Sequence, residues 1–281
     1  MNSLYSFEFF PPKSNVSHLA LDTCLNDLAS WKPEFCSMTY GAGGSSQVES
    51  YSAIQRLQQL GHVPAAHITA AGASKAEVNI AAKAFIETGI DHLVALRGDG
   101  TNGQFIPHPQ GYVYGADLVA GLRQWFDGTI SVAGYPETHP EATSANADIA
   151  HLKTKVEAGA SQIMTQYCYD TDALLRFAER LQAQAIDVPI IVGIMPIHDI
   201  QAIQRFSDRC GATVPKKLVA QFEQLSDTND QFNLAIDIAL NQIEQLANHG
   251  LNQVHLYTLN RPLWVRGILQ EMAQPKLAKS A

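Results

Sequence analysis

The chain has 281 residues, a length that suits either two ordinary domains or one α/β barrel, because barrels of that class run to about 250 residues as a single unit. Hydrophobic residues make up 46% of the composition and charged residues 16%, which excludes an intrinsically disordered chain. The formal net charge of −8 argues against a nucleic-acid-binding surface and against an anionic membrane surface, and it favours small-molecule partners.

The first predicted element is a strand over Tyr5–Phe10. Because side chains alternate along a strand, Ser6, Glu8 and Phe10 point to one face, and we expect that face to be the interior. Burying an ionised carboxylate without a partner is costly, so Glu8 is expected to keep its proton and to act as a general acid. The alternative is a structural glutamate at the end of the strand that reaches solvent or pairs with Lys13.

Seven further strands are predicted along the chain, and helix-like segments with apolar residues at three- and four-residue spacing separate them. Examples of these helical segments are Val48–Leu60, Lys75–Thr88, Asp117–Trp125 and Asp172–Ala185. The predicted strands are Phe35–Tyr40, Ala65–Thr69, His92–Leu96, Thr129–Gly134, Gln162–Gln166, Ile190–Ile194 and Gln253–Tyr257. Eight βα units without an obvious linker predict an α/β fold, a single (β/α)8 TIM barrel domain over residues 1–281. An open doubly wound sheet is the alternative.

Two segments depart from the minimal repeat. Gly98–Gly111 is rich in glycine and proline, which predicts a long functional loop after the fourth strand. Between the seventh and eighth strands, the segments Asp199–Arg209, Pro215–Gln224 and Gln231–His249 predict three helices in place of one. Residues 275–281 are expected to form a flexible tail.

Three motifs resemble known ligand-binding patterns but do not meet their requirements. Gly98-x-Gly100-x-x-Gly103 matches a dinucleotide fingerprint, but the prolines behind it exclude the helix that this fingerprint requires. The glycine-rich segment 41–45 lacks the lysine of a phosphate-binding loop. The segment 135–141 combines a histidine with two glutamates, which raises the question of a metal, yet its spacing fits no standard cluster. A helix is predicted to begin near Glu141.

The four cysteines are scattered, without a C-x-x-C pair or a histidine at a metal-ligand spacing. We therefore expect reduced, packed thiols and no metal site. The sequence shows no secretory signal and no apolar run close to the roughly 20 residues that span a bilayer. These patterns predict a cytoplasmic protein.

Several sequence blocks together resemble the bacterial methylenetetrahydrofolate reductase family, and they occur in order over nearly the whole chain. The blocks are Phe7–Lys13, Thr39–Gly41, His67–Thr69, Leu96–Asp99, Tyr135–Glu137, Thr165–Gln166 and Tyr257–Arg261. The resemblance implies an FAD-dependent oxidoreductase built on an eight-stranded barrel. In that family NADH or NADPH reduces the flavin and departs, and methylenetetrahydrofolate then takes the hydride at the same place, in ping-pong kinetics. The methyl product serves methionine synthesis, and a homo-oligomer is expected by analogy.

The resemblance also implies roles for particular residues. Glu8 corresponds to the general acid that helps to open the imidazolidine ring of the folate to an iminium cation. Asp99 corresponds to the acid beside the flavin and the pterin, where its charge favours that cation. Substrate contacts are expected from Gln166, Phe206 and Arg261. FAD contacts are expected from Thr39, His67, Arg97, Gly98, Asp99, Tyr114, Ala133, Asp148 and Lys155.

Two other classes of function remain alternatives. One is a cofactor-free barrel lyase that uses a Schiff-base lysine, although the predicted strands place no lysine at a carboxyl end. The other is a flavin-binding or folate-binding protein without turnover, against which the paired carboxylates Glu8 and Asp99 argue.

Overall fold

The computed structural model of the chain describes residues 4–40, 47–98 and 105–274. Within these ranges, eight parallel strands form a closed barrel in which each strand pairs with its neighbours in chain order. The strands are β1 (Leu4–Phe9), β2 (Cys36–Met38), β3 (Pro64–Thr69), β4 (His92–Leu96), β5 (Thr129–Gly134), β6 (Gln162–Thr165), β7 (Ile190–Ile194) and β8 (Gln253–Tyr257). The predicted (β/α)8 barrel is confirmed, and the open sheet is excluded because β1 pairs with β8.

Ten helices are described in the same ranges, and three of them lie between β7 and β8 as predicted. They are α1 (Asn15–Leu28), α2 (Gln47–Gln59), α3 (Lys75–Glu87), α4 (Gly115–Arg123), α5 (Ala145–Glu157), α6 (Thr171–Ala183), α7 (Ile200–Cys210), α8 (Lys216–Glu223), α9 (Thr228–Asn248) and α10 (Pro262–Ala273). No helix of the described ranges is both long and apolar enough to cross a membrane.

The alternation of side chains on the strands builds two apolar layers. Phe7 and Phe9 point outward from β1 and are fully buried in the cluster that also contains Leu25 and Leu28 of α1. Inside the barrel, a smaller cluster contains Phe35, Ala65, Val94, Met164 and Ile191. A third cluster, centred on Tyr167, Met195, Ile203 and Phe222, fastens α7 and α8 to the barrel. The extension is therefore part of the packed structure.

Helix α5 begins later than the sequence pattern predicts. The expected start near Glu141 is wrong, because the Ser144 side chain accepts a hydrogen bond from the Ala147 backbone N–H at 3.1 Å and so begins the helix at Ala145. Residues 105–111 contain no helix, which agrees with the predicted loop, and α4 begins only at Gly115. The dinucleotide fingerprint therefore lacks the helix that it requires. Residues 41–46, 99–104 and 275–281, with the predicted flexible tail, lie outside the described residues.

Candidate active site

Glu8 lies inside the barrel near the carboxyl end of β1, paired in register with Ser37 of β2 and Tyr257 of β8. Only 7% of the residue is exposed, so the interior position expected from strand alternation is observed and the solvent-facing alternative is not. Its Oε2 atom lies 3.6 Å from His67 Nε2 and 3.8 Å from His255 Nε2. The carboxyl group is therefore enclosed by two imidazoles.

Burial determines the protonation state of His67. Burial lowers the pKa of His67 to about 4, against the opposing effect of the Glu8 charge and with a smaller lowering from His255. His67 is consequently neutral near pH 7 and offers Glu8 a dipole rather than a full positive charge. The buried Glu8 carboxyl therefore lies beside a neutral His67 imidazole, at a position from which it can exchange a proton with a bound molecule.

His255 is a site residue that sequence reasoning missed. Its Nδ1 atom lies 2.6 Å from Ser6 Oγ and its Nε2 atom lies 3.2 Å from Ser37 Oγ, so two hydroxyls fix the ring beside Glu8. The signal was present as a polar residue among the apolar residues of the predicted eighth strand. Its significance required the closed barrel, since closure is what pairs β8 with β1.

Two buried polar atoms at this face have no hydrogen-bond partner among the described residues, namely Thr39 Oγ1 and His67 Nε2. Thr39 directly follows β2, and His67 lies in β3. Buried polar atoms are rarely left unsatisfied, and Glu8 Oε2, at 3.6 Å from His67 Nε2, is beyond hydrogen-bond distance, so each atom can take a polar partner from outside the described residues. Both residues are expected FAD contacts, and the unpartnered atoms fit a polar ligand at the carboxyl face of the barrel.

A second polar group joins α5 to the end of β5. Lys155 Nζ donates a hydrogen bond to the Ala133 carbonyl at 3.0 Å. Burial lowers the pKa of Lys155, while the charge of Asp148 opposes that shift and the charge of Arg97 adds to it. Asp148 Oδ2 also accepts a hydrogen bond from the His139 backbone N–H at 2.9 Å. Three of the expected FAD contacts, Ala133, Asp148 and Lys155, are therefore brought together.

The position of Lys155 corrects one sequence expectation. The strands themselves carry no lysine at a carboxyl end, as predicted, but the long side chain of Lys155 reaches that end of β5 from α5. Helical periodicity does not reveal how far such a side chain extends. The carboxyl face therefore does hold an amine, that of Lys155, which the sequence did not indicate.

Arg97 and Gly98 follow β4 at the same face. The Arg97 guanidinium makes a bidentate pair with Glu141, with N–O distances of 2.6 and 2.8 Å, and stacks on the Phe105 ring at 4.5 Å. A diphosphate bound by Arg97 would share the guanidinium with this carboxylate. Gly98 has φ of +87°, and a Cβ atom there would lie 2.8 Å from Ala71 Cβ, so only glycine fits. Asp99 lies outside the described residues.

The expected substrate contacts are less closely grouped. Gln166 follows β6, and its side-chain oxygen accepts a hydrogen bond from the Tyr167 backbone N–H at 3.0 Å. Phe206 of α7 stacks on the Tyr167 ring with centroids 6.2 Å apart. Arg261 is exposed and lines a surface groove between α1 and α10. Tyr114, an expected FAD contact, is 65% exposed at the start of α4.

No group of three or more histidine, cysteine, aspartate or glutamate side chains within the described ranges could hold a metal ion. Segment 135–141 therefore forms no metal cluster. All of the cysteines are free thiols, and Cys24, Cys36 and Cys168 are buried, as expected for packed, reduced residues.

The model of the family "Methylenetetrahydrofolate reductase" matches residues 1–273 of the chain. The chain belongs to the methylenetetrahydrofolate reductase family. Over 258 residues it is 38% identical to the 5,10-methylenetetrahydrofolate reductases of Salmonella typhimurium and of Escherichia coli, covering 91% of this chain and 86% of each relative. Its identity to methylenetetrahydrofolate reductase (NADH) 1 of Arabidopsis thaliana is 34% over 294 residues, covering 98% of this chain and 50% of that protein.

Among solved structures, the barrel is similar to an uncharacterized protein from Clostridium thermocellum that binds two copies of 5-methyl-5,6,7,8-tetrahydrofolic acid. The TM-score is 0.69, the sequence identity is 14%, and the match covers 95% of this chain and 93% of that one. A 2,3-dimethylmalate lyase matches with a TM-score of 0.55 at 8% identity, covering 98% of this chain and 85% of that one. At these identities the likeness shows the fold alone.

Proposed function

We propose that this chain reduces methylenetetrahydrofolate to methyltetrahydrofolate, with bound FAD and with NADH or NADPH as the electron donor in a ping-pong cycle that supplies methyl groups for methionine synthesis. The observation that carries the proposal is Glu8, a buried carboxyl between two imidazoles at the carboxyl face of a barrel of this family. Active sites of (β/α)8 barrels lie at that face.

The residues present fit FAD at the same face. Thr39 Oγ1 and His67 Nε2 are buried atoms that a polar cofactor edge would satisfy. Gly98 lets the chain after β4 pack closely against Ala71 at this face, and the Lys155 ammonium lies at the end of β5 where a phosphate would be stabilised. When bound, FAD supplies the redox chemistry, the transfer of an electron pair from nicotinamide to folate.

In this proposal Glu8 holds a proton at the base of the site and donates it to the folate. Protonation opens the imidazolidine ring to an iminium cation, which is the form that can be reduced. Burial of Glu8 keeps bulk water away from the proton. Asp99 would supply a negative charge that favours the cation, while Gln166 hydrogen-bonds the folate and Phe206 stacks on it.

The experiment that tests the proposal is anaerobic reduction of the purified protein. It should be yellow, lose its colour when NADH or NADPH is added, and recover it when methylenetetrahydrofolate is added, with methyltetrahydrofolate as the product. Comparing the two nicotinamides at equal concentration identifies the preferred donor. A colourless protein that binds no added FAD would exclude the proposal, and colour without turnover would favour the binding-protein alternative.

One observation favours a second candidate, a lyase with a Schiff-base lysine. Lys155 is a partly buried lysine with a lowered pKa, as such nucleophiles require. Borohydride treatment in the presence of small aldehydes and ketones would then attach the carbonyl compound to Lys155, which mass spectrometry detects. We expect no such adduct from the reductase.

We also propose that the protein is a homo-oligomer, as expected from the family. Size-exclusion chromatography with light scattering measures the mass in solution, and a species of 30.6 kDa would show a monomer.

A further inference from the structure

The loop after β5 contains a backbone conformation that is unfavourable for its residue. Thr138 has φ of +78°, in the left-handed region that β-branched residues rarely adopt. Its N–H donates to the Tyr135 carbonyl at 3.2 Å and closes a tight turn. Strain of this kind persists only where surrounding contacts hold the chain in place, and such residues concentrate at functional sites.

Glu137, directly before the strained residue, makes contacts that link this turn to the helical extension. Glu137 Oε2 accepts a hydrogen bond from the Thr213 backbone N–H at 2.9 Å, and Thr213 lies between α7 and α8. The Cys168 thiol lies close enough to Glu137 that the charge of the carboxylate adds to the burial that raises the pKa of that thiol to about 12. Glu137 thus connects the loop after β5 with the helical extension through a hydrogen bond, and its charge acts on Cys168 in the loop after β6.

A steric contact joins the same two segments. Gly211 caps the carboxyl end of α7 in the left-handed conformation, with φ of +69°. A Cβ atom at Gly211 would collide with the Pro140 ring, so the end of α7 lies directly against the loop that carries Glu137. Glu137 and Pro140 therefore hold the α7–α8 turn from one side, the first through a hydrogen bond and the second through packing.

The element held in this way carries Phe206. Phe206 lies within the last two turns of α7 and stacks on Tyr167 at an interplanar angle of 24°. The next residue, Ser207, places its hydroxyl 2.9 Å from that of Tyr167. Because a helix moves as a unit, a displacement of the carboxyl end of α7 moves the Phe206 ring relative to the mouth of the barrel.

We propose that Glu137 is a positioning residue that fixes α7, and through it the Phe206 ring, at the folate side of the site. The anchoring follows from the contacts themselves, whereas its effect on folate rests on the proposed function. Glu137 touches neither the cofactor nor the substrate in this proposal. It acts through the Thr213 N–H and the packing of α7.

The test compares Glu137→Ala with Glu137→Gln, with Glu223→Ala as the control for loss of a negative charge elsewhere on the extension. Glutamine keeps an oxygen that accepts from Thr213, whereas alanine removes it. Loss of a hydrogen bond to a charged group corresponds to roughly a tenfold change in an equilibrium. For Glu137→Ala we expect about tenfold faster amide exchange over residues 200–213 and about tenfold higher KM for methylenetetrahydrofolate, with kcat and FAD content unchanged. Glu137→Gln and Glu223→Ala should behave like the unaltered protein.

Three results would overturn the proposal. They are an unchanged folate KM in Glu137→Ala, equal impairment of the glutamine and alanine variants, and a parallel loss of FAD content and of both half-reactions. If Glu137→Ala does not fold, Gly211→Ala serves instead, because its Cβ atom would push the end of α7 away from Pro140. This variant should likewise raise the KM for methylenetetrahydrofolate and leave kcat unchanged. Amide exchange is measured without substrate, so it reports the anchor even if the chain reduces no folate.

Discussion

At the scale of single residues, the chemistry of Glu8 comes from what surrounds it. The alternation of side chains in β1 predicts that Glu8 faces inward, and the structure agrees. Its neighbours could not be predicted, because His67 and His255 belong to β3 and β8 and come together only when the barrel closes. The sequence suggested Lys13 as an alternative partner of Glu8, because a residue close in the chain can be recognised from the sequence whereas a distant one cannot.

We predict that Glu8→Gln separates the two half-reactions. Only the folate half-reaction requires a proton donor, and general acid catalysis contributes a factor of about 10² or more. Flavin reduction by the nicotinamide should therefore stay nearly unchanged while folate reduction falls by at least that factor. Stopped-flow absorbance of each half-reaction measures the split, and an equal loss in both would show that Glu8 is structural.

Gly98 allows a matched comparison with Gly72. Both have positive φ, +87° for Gly98 and +69° for Gly72, but a Cβ atom at Gly98 would lie 2.8 Å from Ala71 Cβ, whereas Gly72 faces open space. Gly98→Ala should displace the end of β4 and weaken FAD binding by tenfold or more, while Gly72→Ala should incur only the backbone cost of about 1 kcal/mol. Titration of the apoprotein with FAD measures the difference, and equal affinities would show that the loop after β4 is not part of the cofactor site.

At the scale of elements, the sequence predicts what depends on local periodicity. All eight strands lie where the apolar runs predict them, since β-branched and aromatic residues bounded by turn signals are a local feature. The start of α5 was misplaced because the choice between Glu141 and Ala145 depends on a single capping hydroxyl, that of Ser144. Glu141 instead binds Arg97, a pairing across two loops that no periodicity reveals.

Arg123 connects three elements and should be important for stability rather than for activity. Its guanidinium donates to the carbonyls of Phe126, Gly128 and Gly159 and to the Ser161 hydroxyl, at 2.6–3.0 Å. Arg123→Ala leaves these acceptors without their donor, and we expect the free energy of unfolding to fall by about 2–4 kcal/mol. Arg123→Lys should retain only part of this stabilisation, because an ammonium group cannot reproduce the planar, multiply donating guanidinium.

Denaturant unfolding of the three proteins measures this effect. The contacts lie at the amino ends of β5 and β6, opposite the carboxyl face, so KM values and FAD content should not change. A change in folate KM with an unchanged free energy of unfolding would contradict the assignment.

In the whole molecule, an apolar layer inside the barrel lies between two groups of polar residues. Glu8, His67 and His255 lie toward the carboxyl face, while His92 begins β4 at the other end. The Phe35 ring stacks on His255 at a centroid distance of 5.6 Å and meets His92 edge-on at a centroid distance of 4.5 Å. The division suits a barrel whose carboxyl face performs chemistry and whose opposite end provides stability.

This division makes His92 a source of acid sensitivity that is independent of catalysis. Its Nε2 atom lies 2.6 Å from Ser131 Oγ and 3.1 Å from Gln162 Nε2, and burial lowers its pKa to about 3. In the unfolded chain the pKa of a histidine is about 6.5. Since the folded pKa is the lower one, the unfolded state binds more protons below about pH 6.5, and stability is lost as the pH falls toward 3.

We predict that His92→Gln reduces the dependence of stability on pH. One extra proton on the unfolded chain corresponds to a slope of about 1.4 kcal/mol per pH unit, and the variant should lose about that much slope between pH 6 and pH 4. His18→Gln, on the exposed surface of α1, is the control. Carboxyl groups that titrate in this range are common to all three proteins and cancel in the comparison. Urea unfolding at a series of pH values measures the slopes, and identical slopes for His92→Gln and the unaltered protein would show that His92 is not buried as a neutral group.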